Sequence, residues 1–257
     1  MSEKELTTYL KAIKKEKSEK LLPENLKSGI ELFGVTGILD SGGTVSLEEY
    51  DKNIDLCKYI LGQDLPELPY TLLEYIQSDG NQYIDLNTTL NKNTKIEVKF
   101  KRISQIASSN EDAIVGSRND TTGGYLLGFY SNGWLLYGTH QAYINKNITS
   151  NVTTLRVDKN KIYEVTDDDI TLLNTYNTST FTTPTNAVLF AERQSNNITH
   201  KSAIQLYYFK LYDNDTLIMD LIPVKRIEDN EVCLYDLVSE QFYTNKGTEN
   251  FIAGGEI

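Results

Sequence analysis

The residues that could support catalysis are few in this chain, and they are not spaced as an active site. A glycosidase needs two carboxylates at the scissile bond, which strand alternation supplies from acids two residues apart. The strand-like segment 95–99, KIEVK, has one acid between two lysines. His140 and His200 are the two histidines, and neither has a metal-ligating neighbour at useful spacing. The motifs of serine hydrolases, zinc proteases and phosphate-binding loops do not occur. The sequence therefore predicts a binding protein, with no catalytic residue.

Two acidic turns and two cysteines are the other groups that could bind a metal ion or react. Asp167–Asp169 and Asp213–Asp215 offer oxygens that suit Ca²⁺. Asp and Asn also favour the backbone angles of hairpin ends, and we prefer that interpretation. We expect no cofactor and claim no metal site, with Ca²⁺ left possible. Cys57 and Cys233 stand alone in their patterns, which indicates two free buried thiols.

A hairpin in the middle of the chain is the best candidate for a binding site. Asn132-Gly133 is a two-residue turn signal, and a turn there would pair Tyr125 with His140. Aromatic rings present flat apolar faces to sugars, and polar side chains hydrogen-bond to hydroxyls. The candidate glycan-binding residues are Trp134, Tyr137, Tyr125, His140, Arg118 and Asn132. Alternatively, Trp134 and Tyr137 fill the core, so which hairpin face is core stays open.

The charge balance argues against polyanionic partners. The formal net charge is −11, and an acidic body repels nucleic acid and anionic lipid. No apolar run approaches the roughly 20 residues of a membrane span, and the charged N-terminus does not resemble a signal peptide. We expect no nucleic-acid binding, no membrane insertion, and folding in a reducing cytoplasm.

The elements that position these residues indicate a mainly β protein. From Tyr70 onward, short β-branched and aromatic runs are separated by Asp, Asn and Gly, which is typical of antiparallel strands in a sandwich. One run, 217–222, stops at Pro223. We expect a small helical α+β module over 1–45, a linker helix and Pro connector over 46–69, and a jelly-roll β-sandwich over 70–257.

The linker helix carries apolar residues at alternating spacings of three and four. It begins at a capping box, Ser46 to Glu49, and its apolar stripe includes Leu47, Tyr50, Ile54 and Leu61. Either the helix packs alone on the β domain, or it forms a short symmetric bundle with copies of itself. We hypothesise that helix 46–62 drives self-association.

Two segments match known patterns. Residues 73–85, LEYIQSDGNQYID, and 206–251 resemble the two ends of a jelly-roll domain found in phages and prophages of Gram-positive bacteria. In that domain a Gly-Ser-Arg turn falls at Gly116-Ser117-Arg118. Residues 22–37 are similar to a module that recurs in tail and fibre-like phage proteins.

These resemblances imply a phage tail appendage with a concanavalin A-like, laminin-G-like sandwich. The implied function is host adsorption through bacterial surface polysaccharide, in a virion tail, beside other tail or baseplate proteins. We expect a homotrimer, from the oligomeric state common among phage fibres and from the linker helix together. The alternative is a purely structural tail protein that uses the jelly roll for subunit contacts.

Overall fold

The computed structural model describes residues 68–104, 111–119, 123–130, 132–144, 148, 151–177 and 180–257. These residues form strands and contain no helix, and Tyr70–Glu256 make one compact unit. The predicted module 1–45 and helix 46–62, with Leu47, Tyr50, Ile54 and Leu61, lie outside the described residues. No helix long and apolar enough to cross a membrane occurs in the described part of the chain.

The strands form two sheets. Sheet 1 contains β1 (Tyr70–Leu72), β2 (Ile76–Gln77), β4 (Thr94–Ser104), β9 (Val152–Asp158), β10 (Lys161–Val165), β11 (Ile170–Thr175), β15 (Ala203–Asp213), β16 (Thr216–Arg226), β17 (Val232–Asp236), β18 (Phe242–Tyr243) and β19 (Ile252–Ala253). Sheet 2 contains β3 (Ile84–Asp85), β5 (Glu111–Asn119), β6 (Gly123–Tyr130), β7 (Asn132–Gly138), β8 (His140–Tyr143), β12 (Val188–Leu189), β13 (Glu192–Gln194) and β14 (Asn197–Thr199).

The order in sheet 1 is β11-β10-β9-β4-β15-β16-β17-β18, and in sheet 2 it is β14-β13-β5-β6-β7-β8. All described pairings are antiparallel except that of β13 with β5.

One core is built from both sheets. Strand alternation puts Ile96 and Phe100 of β4 inside and the charged residues between them outside. The Phe100 ring of sheet 1 lies 5.5 Å from the Phe129 ring of sheet 2, centroid to centroid. Burying a side chain of this size contributes about 1.5–3 kcal/mol relative to leaving it exposed. The mainly β class and antiparallel sheets agree with the predicted sandwich.

The two ends of the domain fasten to each other. Asn245 Oδ1 accepts from the Tyr83 backbone N–H at 3.2 Å, and Thr248 N–H donates to the Asn81 carbonyl at 3.2 Å. A Cβ at Gly247 would lie 2.1 Å from the Asn81 oxygen, so the backbones approach at a distance that only glycine permits. The polar residues of the 73–85 and 206–251 segments therefore hold the fold at these contacts.

Three local predictions were wrong. Strand β6 pairs with β7 so that Tyr125 faces Tyr137, and the chain reverses between Tyr130 and Asn132, not at Asn132-Gly133. Strand β16 continues through Pro223, whose carbonyl accepts from Leu73 N–H at 3.0 Å. The segment 116–118 lies inside strand β5 and is not a turn.

The acidic turn at Asp213 is a hairpin end. Asp213 pairs with Thr216, and the two residues between them, Asn214 and Asp215, have φ of 47° and 65°. These left-handed angles define a tight hairpin turn and are tolerated by Asn and Asp. The prediction of a hairpin end at this position is confirmed. Cys233 is a free buried cysteine, as the sequence indicated.

Candidate functional site

Two of the six predicted glycan-binding residues belong to the core. Tyr125 and Tyr137 face each other across β6 and β7 and are both buried. The Tyr137 hydroxyl donates to the Lys92 carbonyl at 2.6 Å, and its ring meets Phe181 edge-on with centroids 4.9 Å apart. Burial raises the pKa of both phenols, most strongly that of Tyr125. Neither ring is available to a ligand on the surface, because both fill the space between the sheets.

Trp134 and Asn132 occupy the other end of β7 from Gly138. Trp134 pairs with Gly128 of β6 and with Tyr143 of β8, while Asn132 pairs with Tyr130. The side chains of Trp134 and Asn132 lie outside the described part of the structure. Four residues separate Trp134 from Gly138, which is about 13 Å along a strand.

Arg118 and His140 lie at the same end of sheet 2, with glycines between them. Arg118 of β5 pairs with Gly124 of β6, Gly124 pairs with Gly138 of β7, and the next strand begins at His140. Three strand spacings separate the backbones of Arg118 and His140, or about 14 Å. We call Arg118, Gly123, Gly124, Gly138 and His140 the glycine rim.

The rim positions are glycines because a side chain there would clash with neighbouring backbone. Gly123 has a φ of 77°, and a Cβ added there would lie 2.0 Å from the Gly138 oxygen. A Cβ on Gly124 would lie 2.3 Å from the Ser117 oxygen. Side chains are therefore excluded from the backbone between Arg118 and His140, and Gly124 and Gly138 are themselves buried. His140 pairs with the buried Tyr137, whereas Arg118 lies in the row of Gly124 and Gly138, so the two side chains leave opposite faces of sheet 2.

Arg118 belongs to a charged cluster around a buried carboxylate. Glu192 of β13 is 0% exposed, and its Oε1 lies 2.6 Å from Arg118 Nε. The N–H of Arg118 does not align as a hydrogen bond, so the contact is an ion pair. Glu192 Oε2 lies 2.6 Å from His200 Nδ1, which also contacts Thr199 Oγ1 at 3.2 Å. A carboxylate only accepts, so Nδ1–H is the donor.

The strands on either side fix this cluster in place. Gln194 pairs with Arg118 in the parallel ladder, and the Ser195 N–H donates to the Arg118 carbonyl at 2.9 Å. From the next position along β13, Arg193 Nη2 reaches Asp85 Oδ2 at 2.7 Å. Strand β13 is thus held by ion pairs from two neighbouring arginines, and Glu192 has no freedom to move out of the cluster.

Both oxygens of Glu192 are engaged within the protein. Oε1 contacts Arg118 and Oε2 contacts His200, so neither oxygen is directed at the surface. Burying a carboxylate costs several kcal/mol, which the paired groups offset only when their geometry is fixed. No group of three or more His, Cys, Asp or Glu among the described residues is arranged to hold a metal ion.

Sequence reasoning missed Glu192 and His200. The buried run 187–191 ends one residue before Glu192, and β13 pairs with β5 through a crossover that no local pattern reveals. A charged residue directly after the buried run 187–191 was the available signal, since a carboxylate there needs a partner.

Comparison with solved structures shows a distant likeness. No protein-family model matches this chain, and no curated protein matches it. A solved structure from Bacteroides ovatus, described provisionally as a carbohydrate binding protein, is similar with a TM-score of 0.44 and 8% identity. The match covers 75% of this chain and 62% of that chain, so it spans less than two thirds of that protein.

Proposed function

We propose that this protein is a carbohydrate-binding module, without catalytic activity, whose sandwich is concanavalin A-like. The observation that carries the proposal is the arginine of the glycine rim. The Arg118 side chain is 20% exposed and is held in place by the buried Glu192, so a fixed guanidinium is available to sugar hydroxyls.

The resemblance to phage domains supports a finer proposal. The ligand is a bacterial surface polysaccharide, and the protein is a tail appendage of a phage or phage-like particle. A shallow site of a few polar contacts binds weakly by itself. Several copies, as in the trimer expected from helix 46–62, would raise the effective concentration and hence the avidity.

A purely structural tail protein is the second candidate. Ile170 and Leu172 on the sheet-edge strand β11 are 50% and 51% exposed, which suits contact with another subunit. In that case no glycan binds at the glycine rim.

Incubation with cell-wall polysaccharides purified from Gram-positive bacteria separates these functions. Retention of the full chain without release of sugar fragments supports the binding module. No retention favours the structural role, and release of fragments would show a glycan-degrading enzyme and contradict the proposal.

Variants at the rim then locate the site. Arg118→Ala removes the guanidinium and is expected to weaken retention about tenfold, the loss of a good polar contact. This change also leaves Glu192 Oε1 without its cation, so we pair it with Arg118→Ala/Glu192→Gln, which removes the buried charge. Arg193→Ala is the matched control, because it removes an ion pair with Asp85 from the same strand. If the control weakens retention as much as the rim variants, the site is not at the rim.

A further inference from the structure

The outer face of sheet 1 concentrates positive charge on an acidic protein. Its outward positions alternate with the core positions of the same strands, as on β4, where Ile96, Val98 and Phe100 point inward. The cations on this face are Lys95, Lys99, Lys101, Arg156, Lys161 and Lys210, and the anions are Glu97, Asp158 and Asp220. We call these nine residues the cationic face. The net charge of this face is therefore positive, whereas the whole chain has a net charge of −11.

Tyrosine rings hold several of these lysines in place. Lys95 Nζ lies 4.5 Å from the centroid of the Tyr212 ring, and Lys210 Nζ lies 5.8 Å from that of Tyr208. Both lysines also pair with carboxylates, Lys95 with Asp215 at 3.9 Å and Lys210 with Asp220 at 3.7 Å. These contacts hold the two ammonium groups in place and partly neutralise them, and the rings add flat apolar surface between the charges.

The face is extended along the strands. Lys99 and Lys101 are two residues apart on β4, which is about 6.6 Å along the strand. Lys95 lies on the other side of Lys99, about 13 Å from it along the same strand. Strands β4 and β15 are each 11 residues long and run side by side. A flat surface of this form fits an extended polymer and not a small molecule, which needs a concave site.

The acids within the face select the kind of polymer. Glu97 lies at the centre, where it accepts from the Tyr208 hydroxyl at 3.0 Å and pairs with Arg156 at 2.6 Å. The phosphodiester backbone of DNA offers acceptors and negative charge but no donors, so Glu97 and Asp158 would repel it. A carboxylated sugar chain supplies anions for the lysines and hydroxyl donors for the acids.

We propose that the outer face of sheet 1 binds an acidic polysaccharide, a polymer of carboxylate-bearing sugars. This site is on the other sheet from the glycine rim and does not depend on it. The cations are partly exposed to solvent, so binding weakens as the salt concentration rises.

The test uses the full chain and polygalacturonate as the probe, with neutral dextran and single-stranded oligothymidylate in parallel. Lys99→Glu is expected to weaken polygalacturonate binding about fivefold, as reversal of one exposed charge allows. Lys246→Glu makes the same charge change after β18, away from the face, and is expected to change binding less than twofold. Thermal melts confirm that both variants fold.

The outcomes separate the alternatives. Preference for polygalacturonate, lost in Lys99→Glu and kept in Lys246→Glu, supports the proposal. Equal losses in both variants would show a diffuse charge effect, and stronger binding of oligothymidylate would show a nucleic-acid surface. Either result overturns the proposal, as does the absence of polygalacturonate binding, whatever the rim variants do.

Discussion

Tyr137 tests whether the central hairpin contributes its aromatic rings to the core or to a ligand. The ring is buried between the sheets against Phe181, and its hydroxyl donates to the Lys92 carbonyl. Tyr137→Phe removes only the hydrogen bond, whereas Tyr137→Ala also removes the ring and leaves a cavity. The two variants therefore separate the polar from the apolar contribution.

The magnitudes follow from these contacts. Loss of the hydroxyl is expected to lower the free energy of unfolding by about 0.5–1.5 kcal/mol. Loss of the ring is expected to lower it by about 3–5 kcal/mol, the range for a large aromatic replaced by alanine in a core. For a domain of this size, the larger change lowers Tm by about 6–20 °C.

Chemical denaturation followed by tyrosine fluorescence measures both changes. Tyr143→Ala is the matched control, since Tyr143 is 47% exposed on the neighbouring edge strand, and we expect a change within about 0.5 kcal/mol. The reasoning is refuted if Tyr137→Ala unfolds at the denaturant concentration of the parent protein and loses polysaccharide retention instead.

Three further predictions concern the fold. Gly247→Ala places a Cβ against the Asn81 oxygen and should open the contact between the domain ends, which limited proteolysis would detect as early cleavage. Burial raises the pKa of Cys233 to about 12, so the thiol stays protonated and unreactive at neutral pH. In a Cys57→Ser background, thiol reagents should therefore modify Cys233 only as the protein unfolds. Rapid modification of the native protein would contradict this. Burial raises the pKa of Tyr125 above its ordinary value of 10.0, so its contribution to stability is complete below pH 10 and is lost as the pH rises further. Phenolate absorbance should therefore show fewer than 17 tyrosines ionising reversibly before alkaline unfolding.

The sequence predicted the strands whose two faces differ. Strand β4 alternates charged and apolar residues, and only one register buries Ile96 and Phe100. The hairpin end at Asn214-Asp215 was equally clear, because residues that tolerate left-handed angles interrupt two apolar runs.

The register of β6 with β7 could not be predicted in the same way. Both faces of this hairpin are apolar, so a shift in pairing exchanges one set of apolar residues for another. Gly133 suggested a turn, but a Cβ there would come within 3.0 Å of Ile144 and Ile148. The glycine makes room for packing, which depends on residues that follow the hairpin.

The candidate site depended on contacts between distant segments. Arg118 was a sequence candidate, but its partner Glu192 is brought to it by the parallel pairing of β13 with β5. His140 was expected opposite Tyr125 and instead begins a new strand at the glycine rim. Residue types alone could suggest polar sugar contacts, but tertiary structure decides which of them share a surface.

Backbone amide chemical shifts test the central claim most directly. The full chain is titrated with an oligosaccharide prepared from a polysaccharide that it retains, and the glycine amides are followed. The account predicts the largest shift changes at Gly123, Gly124 and Gly138, because these residues lie beside Arg118 at the end of sheet 2. Unchanged shifts at these three glycines, with large changes elsewhere in the domain, would contradict it.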